Sequence, residues 1–182
     1  MKQESIFPHL DVKAFAQSAG DIAGHELLSK YERLMQETQG QGGDRVLNWA
    51  ARGEVRVNEA GADQVWLHLT ADVSLPLMCQ RCLRLVDIVV DVNRSFRFVD
   101  SEAAAEAQDA DAEEDVLALS PDFSLSELIE DEVLMALPVV PRHDACPVEV
   151  KLDVADPEFE LASAEKRNPF AVLAKLQGSK SS

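Results

Sequence analysis

Between Val65 and Leu77 every odd-numbered residue is apolar: Val65, Leu67, Leu69, Ala71, Val73, Leu75 and Leu77. A period of two sustained over this length belongs to an extended strand with one face turned to a core, and no helix of 3.6 residues per turn can satisfy it. Trp66, His68, Thr70, Asp72 and Ser74 give the other face a mixed character. After the short stretch Met78-Cys79-Gln80-Arg81-Cys82-Leu83 the alternation resumes with Ile88, Val90, Val92, Phe96 and Phe98, broken only by Arg94, and with Asp87, Asp91, Asn93, Ser95 and Arg97 opposite. Two such runs joined by so short a connection form a long antiparallel hairpin with a cysteine pair at its tip.

The rest of the chain supplies what such a hairpin needs to bury its apolar face. From Arg45 to Val57, the odd positions Leu47, Trp49, Ala51, Val55 and Val57 predict a third strand, and Gly53 marks a bulge or a close backbone approach. Asn58–Asp63 reads as the turn between it and the long strand. The expected fold class is therefore α+β, an antiparallel meander with flanking helices; the pattern leaves open whether the sheet closes into a small barrel. Ser5–Leu10 is placed as a short edge strand, and Asp11 as the cap of a helix carrying Val12, Phe15, Ala16 and Ala19. A second helix is expected to use Leu27, Leu28, Tyr31, Leu34 and Met35. Ser124 followed by Glu127 is a capping-box pattern opening a helix with Leu125, Leu128, Ile129, Val133 and Ala136 on its apolar side, ended by Pro138.

The organisation that follows has residues 1–44 packing on the sheet, residues 45–150 as sheet-plus-helix core, and residues 151–182 as a tail. Within the core, residues 101–115 hold seven acids and no base and read as an acidic mobile loop. Within the tail, Asn168 and Pro169 suit a helix start, and Phe170, Leu173 and Leu176 fall near one face of a short helix over 169–176 that needs a surface to dock on.

Composition limits the partners. The net charge of −16 disfavours broad nucleic-acid binding, which requires a basic face to displace counterions. It suits a basic protein partner, with Glu127, Glu130 and Asp131 as an exposed acidic docking side of the Ser124 helix and Phe170, Leu173 and Leu176 as an apolar one. No apolar run approaches the roughly 20 residues of a membrane helix, and the N-terminus has no leader pattern, so the expected compartment is the cytoplasm.

Three cysteines make no disulfide framework, and in a reducing compartment a C-x-x-C points to metal or redox chemistry. Cys79 and Cys82, joined by His143 and Cys146 from the proline-stiffened segment after the last helix, make a four-ligand N/S set suited to one structural zinc with no open position. The alternatives are reduced thiols with a surface histidine, or a thiol redox protein. The redox reading wants its C-x-x-C at a helix N-terminus, whereas the flanks here are strands. A further alternative is direct RNA binding through Arg81, Arg84, Arg94 and Arg97, beside Phe96 and Phe98. There is no phosphate-binding glycine loop, nucleophile elbow or H-E-x-x-H, so no enzyme activity and no small-molecule substrate is expected.

Three stretches in this order, Cys79-Gln80-Arg81-Cys82, the run from Glu130 through Leu137-Pro-Val-Val-Pro-Arg-His-Asp144, and Asn168-Pro169-Phe170-Ala171-Val172-Leu173-Ala174, resemble the YceD family of large ribosomal RNA subunit accumulation proteins. Some members carry a cysteine-rich second cluster where this chain has only His143 and Cys146. The resemblance implies a non-enzymatic ribosome-biogenesis factor, needed for accumulation or processing of large-subunit (23S) ribosomal RNA. Its expected partner is a basic ribosomal or assembly protein, with any RNA contact indirect.

Overall fold

The period-two row forms the centre of the sheet. In the computed structural model, which describes residues 10–151, β3 (Asp63–Met78) lies between β2 (Val46–Val57) and β4 (Leu85–Val99), antiparallel to both. Val57 faces Asp63 and Asn48 faces Asp72 across one ladder; Val65 faces Phe98 and Met78 faces Leu85 across the other. Neither register contains an offset, so the bulge expected at Gly53 is absent and the close approach is what the glycine serves. A Cβ there would lie 2.8 Å from the Cα of Ala16 in α1 (Val12–Gln17). Leu67, Leu69 and Leu75 are fully buried and Phe96 nearly so, each burial stabilising the fold by roughly 1.5–3 kcal/mol. Helix α1, capped by the Asp11 carboxylate accepting from the Ala14 N–H at 2.9 Å, and α4 (Leu125–Met135) pack on this side of the sheet.

The N-terminal region departs from expectation. Residues 21–27 form an edge strand, β1 (Asp21–Leu27), antiparallel to β2, followed by a 3-10 turn at Leu28–Lys30 and a short α2 (Glu32–Glu37). Leu28, Tyr31 and Leu34 are buried as a helical stripe requires, but Leu27 is exposed. The backbone of residues 21–27 bonds instead to the free edge of β2, satisfying donors and acceptors on both strands. Leu10 makes an isolated bridge to Phe123; the rest of the strand expected at Ser5–Leu10 lies outside the described residues.

The acidic stretch is structured rather than a mobile loop. Ser101 caps α3 (Glu102–Asp109), Ala105 is buried, and the Asp109 carboxylate accepts from the Val116 N–H at 3.1 Å. That bond helps set β5 (Asp115–Ala118), which pairs parallel with β4. The result is a five-stranded mixed sheet in the order β1-β2-β3-β4-β5, open and not closed into a barrel. Alanine content makes the helix, and a short helical crossover is what allows a parallel neighbour.

Helix α4 begins as its sequence implies, with Ser124 Oγ accepting from the Glu127 N–H at 3.3 Å. Its acidic side is not a solvent face, however, since Glu130 and Glu132 are buried. Glu130 accepts from the backbone N–H groups of Arg33 and Leu34 at 2.8 and 3.2 Å and pairs with Arg33 Nε at 3.0 Å. It serves the start of α2, where Tyr31 offers no side-chain cap. Asp131 meets the same guanidinium, and Glu132 lies 3.4 Å from Arg94. Among the described residues no helix is long and apolar enough to cross a membrane.

Candidate metal centre

At the far end of the β3–β4 hairpin, six residues reverse the chain. Cys79 N–H donates to Arg84 O, and Leu83 N–H to Cys79 O, both at 2.9 Å. Leu83 takes a φ of 57°, in the left-handed region that a leucine seldom occupies. This tight wrap returns Cys82 to the side of Cys79 and aims the backbone N–H groups of Arg81 and Cys82 at the Cys79 sulfur.

The second half of the cluster comes from the segment that leaves α4. Leu137-Pro138 stops the helix, and the extended chain that follows is laid against the tip by the Gln80 N–H donating to Pro141 O at 2.8 Å. Arg81 then acts as a brace. It donates to the carbonyls of His143 and Asp144 at 2.7 and 3.2 Å and to the Cys146 sulfur at 3.1 Å.

The ligand atoms of Cys79, Cys82, His143 and Cys146 all lie within 4.8 Å of one another. Cys79 Sγ is 4.0 Å from Cys146 Sγ, and Cys82 Sγ is 3.4 Å from His143 Nδ1. Tetrahedral zinc with bonds of about 2.3 Å to sulfur and 2.0–2.1 Å to nitrogen sets its ligands roughly 3.5–3.8 Å apart, so the donor set and its spacing fit such an ion. Cys79 is wholly buried and the other three are half-buried.

The electrostatics agree with a cation. Burial pushes the Cys79 thiol up, but N–H groups of His143, Cys82 and Arg81 donating to its sulfur bring it down to about 5. Cys82 is raised, first by burial and then by the sulfurs of Cys79 and Cys146 beside it. Thiolates held this close repel one another unless positive charge lies between them. A bound ion would supply that charge and cross-link the tip to the post-helix segment.

The other sequence-derived candidates separate in space. Arg81 belongs to the cluster, and Arg84 is exposed beside it, its guanidinium without a partner among the described residues. Arg94 pairs with Asp115 and Glu132, while the buried Arg97 is held by Glu114 at 2.5 Å and Gln108 at 2.8 Å. The four arginines therefore form no single surface, and Phe96 and Phe98 are buried in the core. Glu127 is exposed; Glu130 is spent inside the fold and Asp131 is ion-paired. Phe170, Leu173 and Leu176, with the helix expected over 169–176, lie outside the described residues. Sequence reasoning passed over Arg33, the partner of Glu130, and Arg142, exposed next to His143. The charge of Arg142 within the Pro141–Cys146 ligand segment was the available signal; for Arg33 there was none.

A family model described as large ribosomal RNA subunit accumulation protein YceD matches residues 67–177, a span holding most of the hairpin, both halves of the cluster and α4. The chain belongs to the YceD family. The family's name ties it to accumulation of large-subunit ribosomal RNA, and the candidate metal centre of this YceD-family chain lies wholly within the matched span. No solved structure matches the chain.

Proposed function

We propose that this protein supports accumulation of large-subunit ribosomal RNA as a binding factor rather than a catalyst, with Cys79, Cys82, His143 and Cys146 holding one structural zinc. The observation that carries this reading is the convergence of four N/S ligands from two segments 61 or more residues apart. With every tetrahedral position taken by a side chain, none is left for water or substrate, so such an ion fixes shape. What it fixes is the Pro138–Pro147 segment against the hairpin tip. The redox alternative finds little support, because Cys79 and Cys82 sit in a strand-to-strand turn and open no helix. Glu130, Asp131 and Glu132 are engaged within the fold, so we place no basic partner on them; Glu127 remains available to one.

Two measurements test the proposal. Protein purified without an affinity metal is expected to carry one zinc per chain, lost in both Cys79→Ser and Cys146→Ser. Deletion of the gene is expected to lower large-subunit relative to small-subunit ribosomal RNA, with restoration by the natural chain and not by Cys79→Ser. Unchanged ribosomal RNA in the deletion strain, or metal-free protein under reducing conditions, would overturn the corresponding half.

A further inference from the structure

The end of the molecule that carries the cluster leaves more apolar surface in water than its surroundings explain. Val139 is 98% exposed, Leu83 71% and Val140 56%. They come from the two stretches, residues 80–85 and 139–144, that the Gln80–Pro141 and Arg81–His143 hydrogen bonds hold together. Next to them is an open groove of about 520 Å³ whose aliphatic lining, Leu77, Met78, Leu134, Leu137 and Val139 with two prolines, is mixed with the polar Glu37, Gln39 and Gln80. Exposed Met135 follows Leu134 on the same helix end. Isolated surface valines need no explanation, but a groove and exposed aliphatics gathered at one end mark a contact site.

At this end of an acidic chain, cationic side chains gather. Arg81, Arg84 and Arg142 are exposed in the two stretches, and among the described residues the guanidinium groups of Arg84 and Arg142 have no ion-pair partner. Carboxylates at this end are Glu37 in the groove lining, Asp144, and Asp87, which is paired with Arg45. At physiological salt charges are screened over about 8 Å, so these arginines rather than the net charge of −16 set the field a docking segment meets. The groove lining contains no aromatic ring on which a base could stack. Aliphatic side chains beside an arginine rim are instead the make-up of a protein–protein interface.

We infer that the cluster end of the hairpin is a docking surface for an acidic amphipathic segment of another protein, whose apolar side chains enter the Leu77–Leu134–Pro138 groove beside Val139 while its carboxylates pair with Arg84 and Arg142. The inference rests on the reading above that this protein works by binding, and adds where it binds and to what chemistry. The closed metal site would then matter to function because it holds Val139, Val140 and Arg142 in place on one rim.

The test places a photoreactive residue at position 139 in the full-length chain, expressed in its own cells. The same residue at Val57, itself exposed and at the end of β2 beside the start of β3, serves as control. The expected result is an adduct with a protein peptide in which apolar residues are interleaved with Asp and Glu. It is absent from the position-57 control and falls at least tenfold in an Arg84→Glu, Arg142→Glu background that retains its metal. An adduct chiefly with RNA, with a second copy of this chain, or with a segment lacking carboxylates overturns the inference, as does an adduct insensitive to charge reversal or none at all. The deletion strain separates this from the parent reading. Lowered ribosomal RNA without the adduct leaves the function standing and removes the docking surface, whereas the adduct with normal ribosomal RNA does the reverse.

Discussion

The β3–β4 hairpin is built on one pattern from end to end, yet its two ends are held by different physics. At the end where Val65 faces Phe98, Phe96 and Phe98 are buried, Phe98 packs edge-on to Phe123 with centroids 5.3 Å apart, and Arg94 and Arg97 are consumed by acids from residues 114–132. At the end where Met78 faces Leu85, Leu85 is half exposed, and order comes from backbone bonds, the Arg81 brace and the gathered Cys79, Cys82, His143 and Cys146 side chains. Arginine makes the contrast plain. Two residues near the first end are structural counter-ions, while Arg84 and Arg142 at the second are unpaired among the described residues. A surface whose shape does not rest on its own apolar groups can leave those groups for a partner.

The sharpest way to break this comparison is to damage each end in turn. Phe96→Ala is expected to cost about 3–5 kcal/mol of global stability, read from a denaturant midpoint, because a nearly fully buried ring leaves a cavity the rigid sheet closes poorly. Cys79→Ser should act locally. Metal affinity is expected to fall more than tenfold, given that even outer-shell partners are worth roughly 10–100-fold. Protection of the Gln80 amide should be lost and proteolysis appear in residues 138–146, while amides of the β2–β3 ladder keep their exchange rates. If Cys79→Ser unfolds the whole sheet, the two ends are not independent.

Smaller effects sharpen the comparison. Arg97→Gln strands Glu114, whose carboxyl that guanidinium holds below its usual range, and is expected to cost about 1–3 kcal/mol by equilibrium unfolding. On the sheet face bearing Trp66, hydrogen bonds from Arg56 and then His68 hold the Glu54 carboxyl down at about 2. A depressed carboxyl contributes stability in full above its ordinary value of 4.5 and loses it as pH falls towards 2, so Glu54→Gln should flatten the acid limb of the stability curve across that window. Arg84→Gln, at an exposed and unpaired position, is expected to change stability by less than about 0.5 kcal/mol. A large loss there would mean that Arg84 belongs to the fold.

What could be read from the sequence follows how local each cause is. The hairpin was legible because Val65 to Leu77 repeat with an unbroken period, and the cluster because C-x-x-C and H-x-x-C spacings each fix a pair of ligands. Ser124 with Glu127 announced the start of α4. Strand β1 was missed because Asp21–Leu27 has little alternation of its own, and an open edge on β2 decides its conformation. The helix in residues 101–115 was missed because its only buried residue is Ala105, too small to register as a core position. Glu130 looked like a surface acid because nothing within α4 reveals that the unsatisfied N–H groups of α2, 97 residues earlier, lie opposite it.

The separation between the two halves of the candidate metal cluster also has a meaning in time. Cys82 and His143 stand 61 residues apart, a loop whose closure costs roughly 4 kcal/mol of chain entropy. At about 5–20 residues per second of synthesis, that separation of 61 residues delays His143 by roughly 3–12 s after Cys82. The meander, made of neighbouring strands, has that interval to form with its thiols still waiting for their partners. A newly made chain therefore passes through a stage in which the hairpin exists and its partner segment does not, and completion of the Cys79–Cys82–His143–Cys146 cluster reports that α4 and the segment after it have arrived.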